Sequence, residues 1–320
     1  MATINCVILD DYQNVASRMA DWSLLADRVT VSYLHEAIRD RTTLITTLYD
    51  ADIVVAMRER TPLDSALFAA LPNLKLIITS GMRNAAIDLA AAKQRDIVVC
   101  GTEGGSEAPT ELTWALILGL ARHLHIENRN LVQGGPWQST LGTTLNGKKI
   151  GLIGLGKIGK KMAILAQAFG MSVCAWSPNL TRARASEAGV EFCATKDALL
   201  TRCDFVSLHL ICSGTTQGIL QYADLKKMKQ SAYLINTSRA ALLEKGALLM
   251  ALKNGDIAGA GIDVFEEEPL PADSDYRQAP NLLALPHLGY VSDSNYRQYF
   301  PQTVENIQCW LAGEPVRRIN

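Results

Sequence analysis

The sequence predicts an α/β protein with two doubly wound parallel-sheet domains, a Rossmann-type dinucleotide domain inserted in a flavodoxin-like substrate domain, with a cleft between them. Three observations carry this. Strand-like and helix-like segments alternate along nearly the whole chain, the pattern of parallel sheets covered by helices. A glycine-rich turn lies mid-chain between a strand and a helix. The chain has 320 residues, 48% of them hydrophobic, too many for one ordinary domain and enough for two cores.

The first alternating block has strand-like runs at residues 4–9, 29–34, 52–57, 74–79 and 97–99, with helical stretches at 64–71 and 87–95 between them. It contains no phosphate loop, so it is assigned to the substrate. A Gly-rich loop at 100–108 leads into what reads as one long apolar helix, 109–131. Glu111, Arg122, His123 and His125 on this helix read as solvated or interdomain polar contacts.

The second block opens with KKIGLIGLGKIGKKMAILAQAFGMSVCAWSPN, residues 148–179. An apolar strand runs into Gly154-Leu-Gly156-Lys157-Ile158-Gly159. The helix that follows has Ile158, Met162, Leu165, Ala166 and Phe169 at helical spacing, and 171–176 forms the next strand. Gly154 permits a tight turn, Gly156 lets a pyrophosphate approach the backbone, and Gly159 lets helix and strand pack closely. The free N–H groups and partial positive charge of the helix N-terminus then face the phosphates. Further strands are read at 204–210, 232–237, 257–264 and 282–285, with helices at 195–201 and 243–254, the latter stopped by Gly255. Residues 292–313 form a terminal helix that returns to the first domain. The expected division is therefore 1–101 with 288–320 as substrate domain and 102–287 as dinucleotide domain.

The formal net charge of −1 offers no basic field for nucleic acid. Residues 1–11 read as a short strand-like run rather than a signal peptide, and no apolar stretch reaches the roughly 20 residues of a membrane span. A cytoplasmic protein is expected. Seven scattered cysteines without CxxC spacing read as buried reduced thiols, with no metal site.

Polar residues gather where strands of the second block end: His209, then Asn236-Thr237-Ser238-Arg239, then Asp263 to Glu268-Pro269, then Leu285-Pro286-His287-Leu288-Gly289. In a parallel sheet these ends share one edge, so an Arg, a Glu and a His distant in sequence can converge beside the dinucleotide. A protonated imidazole supported by a carboxylate can donate to a substrate oxygen, and a guanidinium can hold a carboxylate through two parallel bonds.

The stretches GLIGLGKIG, INTSRAALLEKGALLMAL, GAGIDVFEEEPLP and LLALPHLG together resemble the D-isomer-specific 2-hydroxyacid dehydrogenases, over essentially the whole chain and most densely at 145–290. The resemblance implies reduction of a small 2-oxo acid with NAD(P)H, catalysis by Arg239, Glu268 and His287, and a homodimer. It places Asp263 near the nicotinamide, Lys157 and Ile158 at the pyrophosphate, His209 and Thr216 beside the adenosine or phosphates, and Thr237 and Ser238 near the nicotinamide ribose. Gly289 joins this cofactor set, and Arg58 faces the substrate. The turn holding Met82, Arg83 and Asn84 is assigned to the substrate too, although this family's usual Gly-x-Gly-x-Asp is here Gly81-Met82-Arg83-Asn84-Ala85. Arg83 either supplies an extra anion contact or points to solvent. Tyr290 replaces a frequent second glycine and is expected to shape the pocket. Ile211 stands for a common proline and Leu285 for a common threonine.

The same fold also serves a nucleotide-sensing corepressor and dehydrogenases of phosphite or formate, so these remain alternatives. An NAD-selective fold places an acid about 20 residues past the glycines. Here that position is Ser177, followed by Asn179, Arg182 and Arg184, with no carboxylate before Glu187. NADP(H) is therefore expected over NAD(H). For the dimer, Trp114, Leu118 and Trp137 are expected to offer large apolar anchors.

Overall fold

The computed structural model describes residues 3–320, so Met1 and Ala2 of the expected N-terminal run lie outside the described residues. The chain forms two compact units, 1–105 with 292–320, and 106–291. The first unit begins β1 (Ile4–Ile8), β2 (Val29–Tyr33), α1 (Arg41–Leu48), β3 (Ile53–Ala56), α2 (Ser65–Ala70), β4 (Leu76–Thr79), α3 (Leu89–Gln94) and β5 (Val98–Gly101). Its five strands are all parallel in the order β2-β1-β3-β4-β5. Helices α1, α2 and α3 each start at an aspartate, Asp40, Asp64 or Asp88, whose carboxylate accepts a hydrogen bond from a first-turn N–H. Such a cap satisfies a donor that the helix itself cannot pair, at about 1 kcal/mol. The central strands β3 and β4 are buried at every position, which explains why they read as continuous apolar runs rather than alternating ones.

The second unit contains α4 (Glu107–Ala121), α5 (Leu124–Val132), β6 (Lys149–Ile153), α6 (Lys157–Ala168), β7 (Ser172–Trp176), α7 (Arg182–Glu187), β8 (Glu191–Phe192), α8 (Lys196–Leu200), β9 (Phe205–Leu208), α9 (Tyr222–Leu225), β10 (Tyr233–Asn236), α10 (Ala247–Asn254), β11 (Gly259–Ile262) and β12 (Leu282–Ala284). Its seven strands are parallel in the order β12-β11-β10-β9-β6-β7-β8. Strand order reverses beside β6, the switch point of a doubly wound sheet, where ligands bind outside the carboxyl ends of the strands. Apolar clusters cover both faces. One includes Leu199, Leu225, Leu248 and Leu252, and the other Leu116, Ile117, Leu120, Met162 and Ala166.

The chain then returns to the first unit as α11 (Asp293–Leu311), capped by Ser292. Asn306 donates to the carbonyl of Gly101 at 2.9 Å, and the Phe300 ring meets Trp22 edge-on.

The expected single helix over 109–131 is two helices. The break falls at His123, which has a left-handed backbone (φ 51). Eight residues of α4 are buried and none of α5 is, so the polar pair Arg122-His123 marks where the chain leaves the core and turns outward. The helix expected from 243 starts instead at Ala247, after the left-handed Gly246, with a short 3-10 turn at Ala240–Leu242 before it. Trp114, expected as an outward anchor, is buried against the Phe169 ring, 4.9 Å between centroids. Of the seven thiols five are buried and two half-buried, and none is in a disulfide. Among the described residues no helix is long and apolar enough to cross a membrane.

Candidate active site

Every functional segment of the second unit leaves its sheet at a carboxyl end. The glycine-rich turn follows β6. Gly154 has φ +107, and a Cβ there would lie 2.6 Å from the carbonyl oxygen of His209. A Cβ on Gly159 would lie 2.2 Å from the carbonyl oxygen of Gly154, so α6 can start this close to the turn only with glycine there. Gly156, the residue before α6, is different: a Cβ on it would meet nothing within 4 Å. That open space at a helix N-terminus fits a pyrophosphate lying against the backbone.

Around the turn, several expected cofactor contacts have structural commitments. The ring of His209 lies 2.9 Å from Ser207 Oγ, and burial lowers its pKa to about 4, so it is neutral near pH 7. Thr216 Oγ1 donates to the carbonyl of Ile211 at 2.7 Å and accepts from the Ser213 N–H at 2.8 Å, closing the loop after β9. Ser238 Oγ donates to the Leu208 carbonyl, and the Thr237 hydroxyl is 2.7 Å from that of Thr113. Ser177 directly follows β7, and Arg182 and Arg184 lie exposed on α7. The Arg182 guanidinium stands over the Phe192 ring at 5.3 Å. Lys157 and Ile158 open α6, and Asn179 is exposed in the turn before α7.

The catalytic candidates come from β10, β11 and β12. Arg239 is half-buried, with Nη1 donating to the Ser238 carbonyl at 2.7 Å, and its own carbonyl accepts from Asn236 Nδ2 at 3.0 Å. Glu268 Oε1 accepts from the Phe265 N–H at 2.9 Å, while Oε2 lies 2.5 Å from His287 Nδ1. A carboxylate can only accept, so Nδ1 carries a proton and Nε2 is left to exchange one with a ligand. His287 has a left-handed backbone (φ 54). The loop is held by Asp263, whose two carboxylate oxygens accept from the N–H groups of Leu288 and Gly289, each at 2.7 Å. Burial raises the Asp263 pKa to about 6 against the lowering effect of those two N–H groups. Tyr290, next along, is buried with its ring against that of His287.

In the first unit, Arg58 has φ 54 and donates from Nη1 to the Ser80 carbonyl at 3.3 Å. Its guanidinium occupies the room where a Cβ of Gly81 would be. The Asn84 side chain, expected at the substrate, is committed to the fold. It donates to the Arg58 carbonyl and to Thr79 Oγ1, and accepts from the Ala86 N–H. The Gly81 N–H donates to Thr102 Oγ1 at 3.0 Å. Met82 and Arg83 are exposed. Sequence reasoning missed the bracing roles of Asn84 and Thr216 because most of their partners are backbone groups that no motif marks.

A doubly wound sheet with a phosphate turn at its switch point, and a His–Glu pair on the same edge, defines a dinucleotide-dependent oxidoreductase. Residues 114–289 match the family described as D-isomer specific 2-hydroxyacid dehydrogenase, NAD binding domain. The chain belongs to this family, whose reaction interconverts a 2-oxo acid and a 2-hydroxy acid. It is 32% identical over 286 residues to a glyoxylate reductase of Korarchaeum cryptofilum, covering 87% of this chain and 85% of that protein. It is 34% identical to a D-3-phosphoglycerate dehydrogenase of Bacillus subtilis over 84% of this chain, and spans only 50% of that relative's length. A solved phosphoglycerate oxidoreductase from Vibrio cholerae matches with a TM-score of 0.92 at 36% identity, over 98% of this chain and 100% of that one.

The glycines separate two effects experimentally. Gly156→Ala is expected to leave the melting temperature unchanged and to weaken dinucleotide binding about tenfold or more, since the methyl takes space open only to the phosphates. Gly159→Ala must displace backbone and is expected to cost about 1–3 kcal/mol of stability besides. Thermal melts and fluorescence titration with NADPH check both.

Proposed function

We propose that the enzyme reduces a small 2-oxo acid to the D-2-hydroxy acid, with His287 as proton donor, Glu268 as its partner and Arg239 as anchor for the substrate carboxylate and carbonyl. The observation that carries this is the 2.5 Å contact between His287 Nδ1 and Glu268 Oε2, on the sheet edge that also bears the glycine turn. A reduced dinucleotide held at Gly154, Gly156 and Gly159 would supply the hydride that the carbonyl carbon takes. As that carbon gains the hydride, the carbonyl oxygen takes a proton from His287 Nε2, and the imidazolium becomes neutral imidazole. Glu268, bonded at Nδ1, fixes the tautomer that leaves Nε2 to carry out the transfer. Arg239 is charged throughout, and its planar fork suits a carboxylate. The glyoxylate reductases and phosphoglycerate dehydrogenases among the relatives support a 2-oxo acid of this kind.

His287→Ala is expected to lower kcat by about 10²–10⁴-fold while nucleotide binding persists. Arg239→Lys is expected to lose about 10–100-fold in kcat/KM, the worth of a charge-assisted bond. Steady-state assays with glyoxylate and hydroxypyruvate check this. Near-normal turnover in either variant, or oxidation of formate or phosphite with no 2-oxo acid reduction in the wild type, would overturn the assignment.

The cofactor proposed is NADP(H) in preference to NAD(H). Ser177 follows β7 where an acid would repel a 2′-phosphate, and exposed Arg182 and Arg184 lie within the next seven residues. A higher kcat/KM with NADPH than with NADH is expected, and Ser177→Asp should reverse the order. Equal efficiency with the two cofactors would sink the idea.

We further propose a homodimer. Leu124, Leu131, Val132, Trp137 and Leu141 are all exposed, Trp137 at 79% and Leu141 at 94%, more large apolar surface than one stretch of a monomer ordinarily leaves in water. Light scattering at micromolar concentration should give twice the chain mass, and a monomeric mass would refute it.

A further inference from the structure

We infer that Tyr290 is a positioning residue, its ring holding the His287 imidazole in the orientation from which Nε2 delivers its proton. This rests on the assignment of His287 as proton donor. Glu268 meets the imidazole at Nδ1, 2.5 Å away. One hydrogen bond fixes one point of the ring and leaves the ring free to tilt about that contact, so aiming Nε2 takes a second constraint. Tyr290 supplies it. The two ring centroids are 5.4 Å apart and their planes are inclined at 74°, an edge-to-face pair, which is the arrangement that ring quadrupoles favour.

Tyr290 is itself immobilised. It is 7% exposed, and its backbone directly follows Gly289, whose N–H donates to the buried Asp263 carboxylate. A Cβ on Gly289 would stand 3.1 Å from that same carboxylate oxygen, so glycine there keeps the segment close to Asp263. Asp263 thus sets the backbone from which the tyrosine ring projects, and the tyrosine ring borders the imidazole. An aromatic ring held this way restricts the swing of His287 without needing its own hydroxyl for the purpose.

The role separates from that of a substrate contact by kinetics. In the full-length enzyme with NADPH and a 2-oxo acid, Tyr290→Ala and the bulkier Tyr290→Leu should each lower kcat about tenfold or more, because a small misplacement of the donor is costly. KM should stay within about threefold, and nucleotide binding should be unchanged. Tyr290→Phe keeps the ring and should restore near-normal kcat. In a His287→Ala background, Tyr290→Leu should remove nothing further, since the ring then has no imidazole to aim. Unchanged kcat in the Leu variant, a loss confined to KM, a Phe variant as impaired as Leu, or an additive loss in the His287→Ala background would each overturn the proposal. Retained turnover in His287→Ala alone is a separate result, read without any Tyr290 variant, that would remove the proton-donor assignment and this inference with it.

Discussion

The candidate site depends on one buried carboxylate. Asp263 directly follows β11, is fully buried, and accepts two 2.7 Å hydrogen bonds from the backbone of Leu288 and Gly289. Hydrogen bonds to a charged group contribute about 1.5–3 kcal/mol each. Two of them offset part of the cost of burying the charge, and the remainder is visible in the raised pKa of about 6. Because Glu268 lies on the segment that leaves β11 and His287 on the segment that leaves β12, this carboxylate joins the two pieces of chain whose separation sets the His287–Glu268 distance. The left-handed backbone of His287 is held against its intrinsic preference by the same clamp.

Parallel strand order does the rest. All seven strands of the second unit point the same way, so residues from 154 to 290 reach one edge without any loop having to travel far. The glycine turn after β6 is packed backbone to backbone against His209 after β9. Within the turn, open space is kept only at Gly156, and the neutral, half-buried His209 serves as wall rather than as a titrating group. Close packing and ligand room therefore come from glycines two and three positions apart, with opposite consequences for an added methyl.

Much of this was legible in the sequence, and the reason is locality. Period and punctuation are short-range properties: the glycines between strand and helix, Gly255 after α10 and the start of the last helix at 292 all act within a few residues of themselves. Parallel alternation also forces strand ends to one edge, which is why Arg239, Glu268 and His287 could be singled out although they are far apart in the chain.

Tertiary structure alone decided the features whose partners lie elsewhere. Trp114 looks outward-facing by hydrophobicity but is covered by Phe169, 55 residues away in a different helix cap. The helix expected to run to 131 stops because its core contacts stop, a fact no periodicity records. Asn84 reads as a ligand for a substrate and is instead consumed by three bonds to its own unit. Tyr290 is three residues from His287, yet nothing in that spacing says the rings meet; the left-handed turn at His287 and the Asp263 clamp bring them together. The sequence by itself determined which elements form and which chemistry stands at their ends, because those depend on neighbours in the chain. Which side chains are free to act was decided by packing, because a polar or apolar group is available only when no distant part of the fold has already claimed it.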